Sequence, residues 1–383
     1  SNANKVIILL TDGKIDLGSD AQSKASRNTV LTRLIKQLQD AQIRVFTIGF
    51  SQEADKKLLN KIALSTNAIP QVIDSSEDIE GTLYKIFTAI IPVNGITIEK
   101  NPNTTRTIQV DKNIKEMTLI FKRNGGMSQV DLISPKGKKS AIKDISQNGG
   151  LNQNYIFVTL DKPQAGLWTL SGPEQDIERA VVLTDVTLVS TFNSGVYFIH
   201  EQALINAHME NKTTIIKAPL IVDNIAMKLK MQHQSKEYLY NIPYKNDGQF
   251  STIISFNNPA AKYTLILSAR SDYLSRELQF IIDLQPLPFK HIENLNGTSI
   301  LELMHSDLIK ADSVRIKAVV DTRIVDVLSN KNHLIWNINL APVCQMHFKK
   351  LGLKINAQTT NSRDVEFLLP LKGSHLCLNR PSS

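Results

Sequence analysis

A carboxylate directly follows an apolar run near the start of the chain, in the stretch KVIILLTDGKIDLG. Residues 6–10 are valine, isoleucine and leucine, and Thr11, Asp12 and Gly13 end the run. Gly13 permits a sharp backbone turn, which would leave the Asp12 side chain at the carboxyl end of a strand. Open parallel sheets bind ligands beyond that end of their strands, so Asp12 is a candidate oxygen ligand for a hard cation.

The residues around this motif alternate between strand and helix patterns, which is typical of a parallel sheet with right-handed crossovers. Apolar residues recur at helical spacing in NTVLTRLIKQLQDAQ and in DKKLLNKIALSTN. Between these two helices, IRVFTIGF predicts a second strand that ends at Gly49, and after the second helix PQVID predicts a third strand. The VIILLT strand is apolar on both faces, which predicts burial between two layers of helices.

The pattern changes to all-β after about residue 92, where short β-branched and aromatic runs alternate with turn signals. We therefore predict a multidomain protein of the α/β plus all-β class. Its predicted parts are an α/β domain at residues 4–92, a β-sandwich at 93–194, an immunoglobulin-like β-sandwich at 195–288 and a C-terminal β-rich domain at 289–383.

The first of these parts resembles the C-terminal half of a von Willebrand factor A domain. The resemblance rests on VIILLTDG followed, about thirty residues later, by the strand AQIRVFTIGF. It implies a partial Rossmann-like sheet followed by two or three immunoglobulin- or fibronectin-like sandwiches. In the family, the Asp of this motif helps to bind a divalent metal at an adhesion site. Asp12 stands at the matching position, and Thr11 and Gly13 complete the motif.

The sequence departs from the family pattern at the other metal ligands. The family takes its main ligands from an Asp-x-Ser-x-Ser loop and a threonine that precede this motif, and neither occurs in this sequence. A single carboxylate is a poor site for a hard cation, which needs six or more oxygens. We therefore expect Mg²⁺ or Mn²⁺ only where the upstream half of the domain is present, and none in this chain. The alternative is that Asp12 simply ends a strand.

The resemblance has a second consequence, because the strand matching VIILLT is central in the family's sheet. Without its first-strand partner, the strand from Val6 to Thr11 becomes an apolar edge, which favours association. We expect this edge to be covered by another segment or by a homodimer contact. The expected external partner is a protein ligand that presents an acidic side chain.

Other residues give little sign of chemistry. The net charge of +8 comes from scattered lysine and arginine residues, so we expect no nucleic-acid partner. HEQAL at His200 lacks the second histidine of the zinc-protease motif, because Leu204 takes its place. The sequence also contains no Gly-x-Ser-x-Gly elbow and no glycine-rich phosphate loop.

The chain has two cysteines, Cys344 and Cys377, and both lie in the last predicted domain. Their spacing fits no metal motif, which leaves two separate buried thiols or one disulfide. We favour the disulfide, because the A-domain resemblance implies a periplasmic, cell-surface or secreted location.

Together these features predict a non-enzymatic, extracytoplasmic protein-binding or adhesion protein whose metal-dependent adhesion site is incomplete in this chain. One alternative is a scaffold of the cell envelope without a working metal site. The other is a hydrolase of surface polymers whose catalytic part is missing.

Overall fold

The computed structural model describes residues 5–51, 54–73, 79–101, 105–122, 130–141, 155–172, 177–294, 297–371 and 377. These residues form an α/β segment followed by three β-sandwiches, which confirms the predicted combination of α/β and β-sandwich structure. None of the described helices is both long enough and apolar enough to cross a membrane.

The α/β segment, defined as the described part of residues 5–91, alternates strands and helices. Side-chain hydrogen bonds cap the first turns of two of its helices. At the first helix, the Ser19 hydroxyl accepts a hydrogen bond from the Gln22 amide at 3.3 Å. Asp55 does the same for the Leu58 amide at 3.1 Å. The elements are β1 (Lys5–Thr11), α1 (Asp20–Thr29), a π-helical turn (Val30–Leu34), α2 (Ile35–Asp40), β2 (Ile43–Gly49), α3 (Lys56–Ser65), β3 (Gln71–Val72) and α4 (Ile79–Ile90).

The three strands of this segment form one parallel sheet in the order β1–β2–β3, so β1 is an edge strand. β1 pairs with β2 along its whole length, with Ile8 opposite Phe46. Helices α2 and α3 pack against β2, where Phe46 and Ile48 are fully buried. The core of the segment therefore surrounds β2 and lies away from β1.

The first sandwich packs two sheets around an aliphatic core that includes Ile108, Met117 and Leu119. The strands are β4 (Gly95–Ile96), β5 (Ile98–Lys100), β6 (Thr105–Val110), β7 (Ile114–Lys122), β8 (Asp131–Ile133), β9 (Lys139–Ala141), β10 (Tyr155–Asp161), β11 (Gly166–Ser171) and β12 (Ile177–Thr184).

The second sandwich has a core in which Leu229, Leu265 and Leu267 of one sheet face Ile205 and Met209 of the other. These apolar residues alternate with more exposed ones along each strand, as half-buried strands require. Its elements are β13 (Val186–Ser190), β14 (Gly195–Phe198), β15 (Gln202–Asn211), β16 (Thr214–Ile215), α5 (Pro219–Val222), β17 (Ala226–His233), β18 (Lys236–Asn241), β19 (Tyr244–Asn246), β20 (Gln249–Ser255), β21 (Ala261–Arg270) and β22 (Ser275–Gln285).

The third sandwich packs a sheet of order β23–β24–β28–β27 against one of order β26–β25–β29–β30. Trp336 and Phe367 lie in its core, and Phe198 of β14 packs into the same cluster. The elements are β23 (Phe289–Asn294), β24 (Thr298–Leu303), a 3₁₀ turn (Ala311–Ser313), β25 (Arg315–Val320), β26 (Arg323–Asp326), β27 (Leu328–Asn332), β28 (Ile335–Asn339), α6 (Ala341–Cys344), β29 (Leu351–Gln358) and β30 (Asp364–Leu371).

One nine-stranded sheet runs through the first two sandwiches, which the sequence had predicted to be separate. The short strand β4 links them, because Gly95 pairs with Val181 of β12 and with Glu277 of β22. In addition, β13 pairs with β15, so residues 186–190 belong to the second sandwich and not to the predicted 93–194 unit. The single residue Asp185 separates β12 from β13, and one residue carries no turn signal.

A buried ion pair also joins these two sandwiches. Arg276 of β22 is 0% exposed, and its Nη1 donates to Asp111 Oδ2 at the end of β6 over 2.6 Å. Its remaining donors contact the Val186 carbonyl at 2.7 Å and the Thr184 hydroxyl at 3.0 Å. One guanidinium thus fixes the first sandwich to the second through Asp111 and Thr184, while its contact to Val186 lies within the second sandwich.

The structure bonds Cys344 to Cys377 within the third sandwich, across a separation of 33 residues. A crosslink of this length restricts the unfolded chain, which corresponds to about 3–4 kcal/mol of stability. We therefore expect the double variant Cys344→Ser/Cys377→Ser to lose about that amount. Guanidinium unfolding followed by Trp336 fluorescence, in a Trp168→Phe background, measures it. Reducing the parent protein should reproduce the loss, and a loss below about 1 kcal/mol in both would contradict the prediction.

Candidate functional site

The motif Thr11–Asp12–Gly13 lies at the carboxyl end of β1, where the backbone leaves the sheet. The Thr11 carbonyl accepts a hydrogen bond from the Phe50 amide at 2.9 Å. The Ser51 hydroxyl donates to the Asp12 carbonyl at 2.6 Å. These two bonds hold the motif against the residues that follow β2, and they leave the Asp12 side chain exposed.

Carboxylates near this motif have other partners. Asp55 forms an ion pair with Arg27 and also caps α3 through the Leu58 amide. Asp16 accepts a hydrogen bond from the Gly18 amide at 3.0 Å. In the described part of the chain, no three His, Cys, Asp or Glu side chains come together to hold a metal ion. These residues therefore do not fit Mg²⁺ or Mn²⁺, which need several protein oxygens.

The exposed surface of β1 is the more unusual feature of this region. Ile7, Ile8, Leu9 and Leu10 are 44%, 40%, 37% and 44% exposed, although neighbouring strand residues point to opposite faces. The predicted burial of this strand between two helix layers is therefore wrong for the described structure. The physical reason is that helices α2 and α3 pack on β2, so β1 keeps more than a third of the surface of Ile7, Ile8, Leu9 and Leu10 exposed, on both faces.

The outer edge of β1 is open as well. Its ladder to β2 uses one edge, and no other strand in the described ranges pairs with it. A long apolar strand with free backbone N–H and C=O groups is a template for pairing with another chain. The surface formed by both faces and the free edge of β1, here called the β1 surface, is the strongest interaction candidate on the α/β segment.

The α/β segment is docked onto the second sandwich through polar contacts near β14. Arg44 Nη2 donates to the Ser194 carbonyl at 3.0 Å, and its guanidinium lies 4.9 Å from the centre of the Phe46 ring. Burial lowers the pKa of Arg44 to about 10. The Val196 amide donates to Asn67 Oδ1 at 2.9 Å. Arg44 and Asn67 lie 23 residues apart in the α/β segment, and both bind residues at the start of β14, so together they hold the segment at this point of the second sandwich.

Further contacts extend this docking. The Lys262 ammonium donates to the Pro70 carbonyl, and burial lowers the pKa of Lys262. Ile281 of β22 packs into the core cluster of the α/β segment. On the third sandwich, Asp307 forms an ion pair with Lys61 of α3. The segment is thus held by the second and the third sandwich together.

The HEQAL stretch contributes a structural ion pair. Glu201 is 1% exposed and accepts hydrogen bonds from Arg363 of the third sandwich and, at 3.0 Å, from the Phe198 amide. The Arg363 guanidinium also stacks 4.6 Å from the centre of the Tyr197 ring. Burial raises the pKa of Glu201, and the charge of Arg363 opposes that rise. The pair joins the second and third sandwiches, and sequence reasoning missed it.

Comparisons with known proteins gave one family match and several matches to solved structures. The sequence profile of the von Willebrand factor type A domain matches residues 1–89. No curated protein matches the chain. Among solved structures, a DUF4785 family protein from Legionella pneumophila has 10% identity and a TM-score of 0.36, with 74% of this chain and 94% of that chain covered.

Two other solved structures have lower scores. The FN1–FN3 domains of chicken CNTN1 have 9% identity and a TM-score of 0.20, with 73% of this chain and 98% of that chain covered. A von Willebrand factor type A protein from Catenulispora acidiphila has 14% identity and a TM-score of 0.16, with 54% and 38% covered. The parallel sheet that ends in Thr11–Asp12–Gly13 agrees with the profile match. The chain is therefore a protein that contains a von Willebrand factor type A domain sequence, which suggests a protein-interaction or adhesion module.

Proposed function

We propose that this chain is a non-enzymatic, extracytoplasmic protein-binding protein that makes its contact through the β1 surface. The observation that carries the proposal is the exposure of Ile7, Ile8, Leu9 and Leu10, between 37% and 44% each, on a strand with one free edge. Exposed contiguous apolar surface of this kind marks protein-interaction sites. The sandwiches, of the immunoglobulin or fibronectin kind, serve as its support.

The occupant we propose is β1 of a second copy of the chain. A two-fold axis at Ile8 pairs the strands antiparallel, with Ile7 opposite Leu9 of the second copy. Lys5 is the only charged residue of β1, and it then faces a Thr11 hydroxyl, so like charges do not meet. Each copy covers the free edge of the other.

This contact is proposed to work without a metal ion. The exposed Asp12 carboxylate has no cluster of other ligands around it in the described ranges. A contact to an acidic side chain of another protein, which the family resemblance implied, needs the Asp-x-Ser-x-Ser loop to complete a metal site. We therefore assign that contact only to a form of the protein that carries the loop.

The Cys344–Cys377 bond supports the extracytoplasmic location. Disulfides persist in oxidising compartments and are rare in the reducing cytosol. The second candidate function is a scaffold of the cell envelope, in which the sandwiches make the contacts. The docking of the α/β segment through Arg44, Asn67 and Lys262 favours it, because a fixed segment can serve a purely structural role.

Introducing a charge into the apolar contact tests the proposal. Ile8→Lys places two ammonium groups opposite each other at the proposed two-fold axis, and like charges in that position are destabilising. We expect the parent protein to sediment as a dimer at micromolar concentration and the variant to sediment as a monomer. Analytical ultracentrifugation over a concentration series measures whether the parent protein and the variant are monomers or dimers.

A matched control comes from an exposed isoleucine on another sheet. Ile253 of β20 is 62% exposed and lies far from β1 in the strand order, so Ile253→Lys should remain dimeric. Thermal unfolding of both variants checks that they are folded. A parent protein that stays monomeric throughout, or an Ile8→Lys variant that still dimerises, would refute the β1 contact and favour the scaffold function.

A further inference from the structure

A second feature, independent of the β1 surface, is a cavity between the first and second sandwiches. Its volume is about 880 Å³, which falls within the range of about 300–1,000 Å³ that small-molecule sites occupy. The end of β6 and the turn before β11 form one wall, and α5 with the β21–β22 turn forms the other. Such junctions between structural units are common positions for ligand sites.

The floor of this cavity is apolar. Val110 and Met209 are each 1% exposed, Ile225 is 7% exposed and Val186 is 8% exposed. These four side chains come from both sandwiches, so the floor forms only where the two units meet. The accessible apolar surface above them comes from Ile221, which is 48% exposed, and from the half-buried Ile216 and Leu274, and it favours an apolar group of a ligand.

The rim of the cavity is polar and carries opposite charges. Lys112 and Asp272 both line the cavity and are exposed, so the rim carries one positive and one negative side chain. Gln109 and Asn113 add neutral hydrogen-bonding groups. Tyr273 is 82% exposed beside the opening, which presents an aromatic face to solvent. A rim of this kind suits a polar but uncharged end of a ligand.

The buried ion pair holds the two walls in place. Asp111 lines the cavity, and its Oδ1 accepts hydrogen bonds from the amide and the side chain of Asn113, each at 2.9 Å. Its Oδ2 accepts from Arg276 at 2.6 Å, so the carboxylate is neutralised before any ligand arrives. The shared sheet adds a continuous backbone connection through β4. The cavity is therefore preformed, which lowers the cost of binding.

We infer that this cavity is a binding site for a small, uncharged amphipathic molecule. Its apolar body, aliphatic or aromatic, packs against Ile216, Ile221 and Leu274. Its polar end meets the neutral groups of the rim beside Tyr273. The ligand class follows from the apolar lining, the one positive and one negative side chain of the rim, and the volume. The site needs no residue of the α/β segment.

The neutral fluorescent dye N-phenyl-1-naphthylamine tests this inference on the whole chain. We expect saturable binding at one dye per chain, seen as increased dye fluorescence. Two tryptophan substitutions should each weaken it at least tenfold by filling the cavity from opposite walls. They are Ile221→Trp, on α5 at a residue 48% exposed, and Ala165→Trp, on the turn before β11.

The control is Ile253→Trp, which adds the same side chain at an exposed residue outside the cavity. Its dye affinity should stay within twofold of the parent value. Thermal unfolding identifies a tryptophan variant that has not folded. The test then rests on the other tryptophan variant, which fills the cavity from the opposite wall. Dye binding that does not saturate, or that is equally strong in a folded cavity-filled variant, would overturn the inference.

Discussion

Replacing Arg276 by methionine should lower the free energy of unfolding of the joined first and second sandwiches by about 3–5 kcal/mol. The substitution removes a cation that is 0% exposed and leaves the Asp111 carboxylate, at 6% side-chain exposure, without its partner. An unpaired buried charge is among the costliest defects a fold can carry. Methionine fills much of the space of the arginine stem, so the loss of unfolding free energy comes mainly from the missing positive charge.

Guanidinium unfolding in a Trp336→Phe background measures this loss, because Trp168 then reports on the first sandwich alone. The double variant Arg276→Met/Asp111→Leu removes both charges and should recover much of the stability. The control is Lys115→Met, which breaks the Lys115–Asp185 pair, where the side chains are 56% and 35% exposed. It should cost less than about 1 kcal/mol. Equal losses in Arg276→Met and Lys115→Met would show that the buried pair is not what joins the sandwiches.

Replacing Arg363 by methionine should cost about 3 kcal/mol at pH 8, because Glu201 stays buried without its cation. The loss should be smaller at pH 5. Burial already raises the pKa of Glu201, and removal of Arg363 takes away the charge that opposes this rise. A carboxyl with a raised folded-state pKa contributes stability below its unfolded pKa, and that contribution falls as pH rises through the folded value. The variant is therefore least stable at the higher pH.

The matched variant is Glu201→Gln, which removes the buried charge but keeps an acceptor for the Phe198 amide. Arg363 is then unpaired, but its side chain is 26% exposed and can reach water. The loss should therefore be smaller than in Arg363→Met and nearly independent of pH between 5 and 8. Trp336 fluorescence in a Trp168→Phe background follows the third sandwich. An Arg363→Met variant whose loss does not change with pH would contradict this interpretation.

The parts of the fold that the sequence predicted well are those with a local signal. The apolar runs around Ile8 and Phe46 predict strands, and both form. The helical spacing of Leu58, Leu59 and Ile62 predicts α3, and all three are buried. Each of these signals depends on residues a few positions apart, which local propensity and periodicity describe directly.

Features formed by residues far apart in the chain could not be predicted in the same way. Asp111 and Arg276 are 165 residues apart, and Glu201 and Arg363 are 162 apart. The available signal was weak. Arg276 stands next to Glu277 in the strand SRELQFIIDLQ, which also carries Gln279 and Asp283, so its charge does not mark it as buried. The two-residue strand β4 gave no signal, so the shared sheet was missed.

The end of β1 was predicted from the sequence, but the exposure of its two faces was not. The motif Thr11–Asp12–Gly13 does end a parallel strand, as its residue types indicate. The exposure of β1 follows from which strands and helices surround it, and a strand's own sequence does not carry that information. An apolar strand has the same residue pattern in the centre of a sheet and at its edge. The pattern therefore predicted burial of both faces, and that prediction was wrong.

The proposed contact at β1 is tested most directly by an engineered crosslink at its two-fold axis. The chain's two cysteines are already bonded to each other, so Ile8→Cys introduces the one free thiol. Antiparallel pairing about Ile8 places the two new thiols directly opposite, with Cα atoms about 4.5–5.5 Å apart, which suits a disulfide. In Leu10→Cys the thiols would lie four residues apart along the strand, about 13 Å.

We predict that mild oxidation converts the Ile8→Cys variant to a covalent dimer and leaves the Leu10→Cys variant monomeric on a non-reducing gel. That result would place two copies of β1 side by side in the proposed register. Equal crosslinking of both variants, or crosslinking of neither in protein that sediments as a dimer, would show that β1 does not pair with itself and would contradict the proposed function.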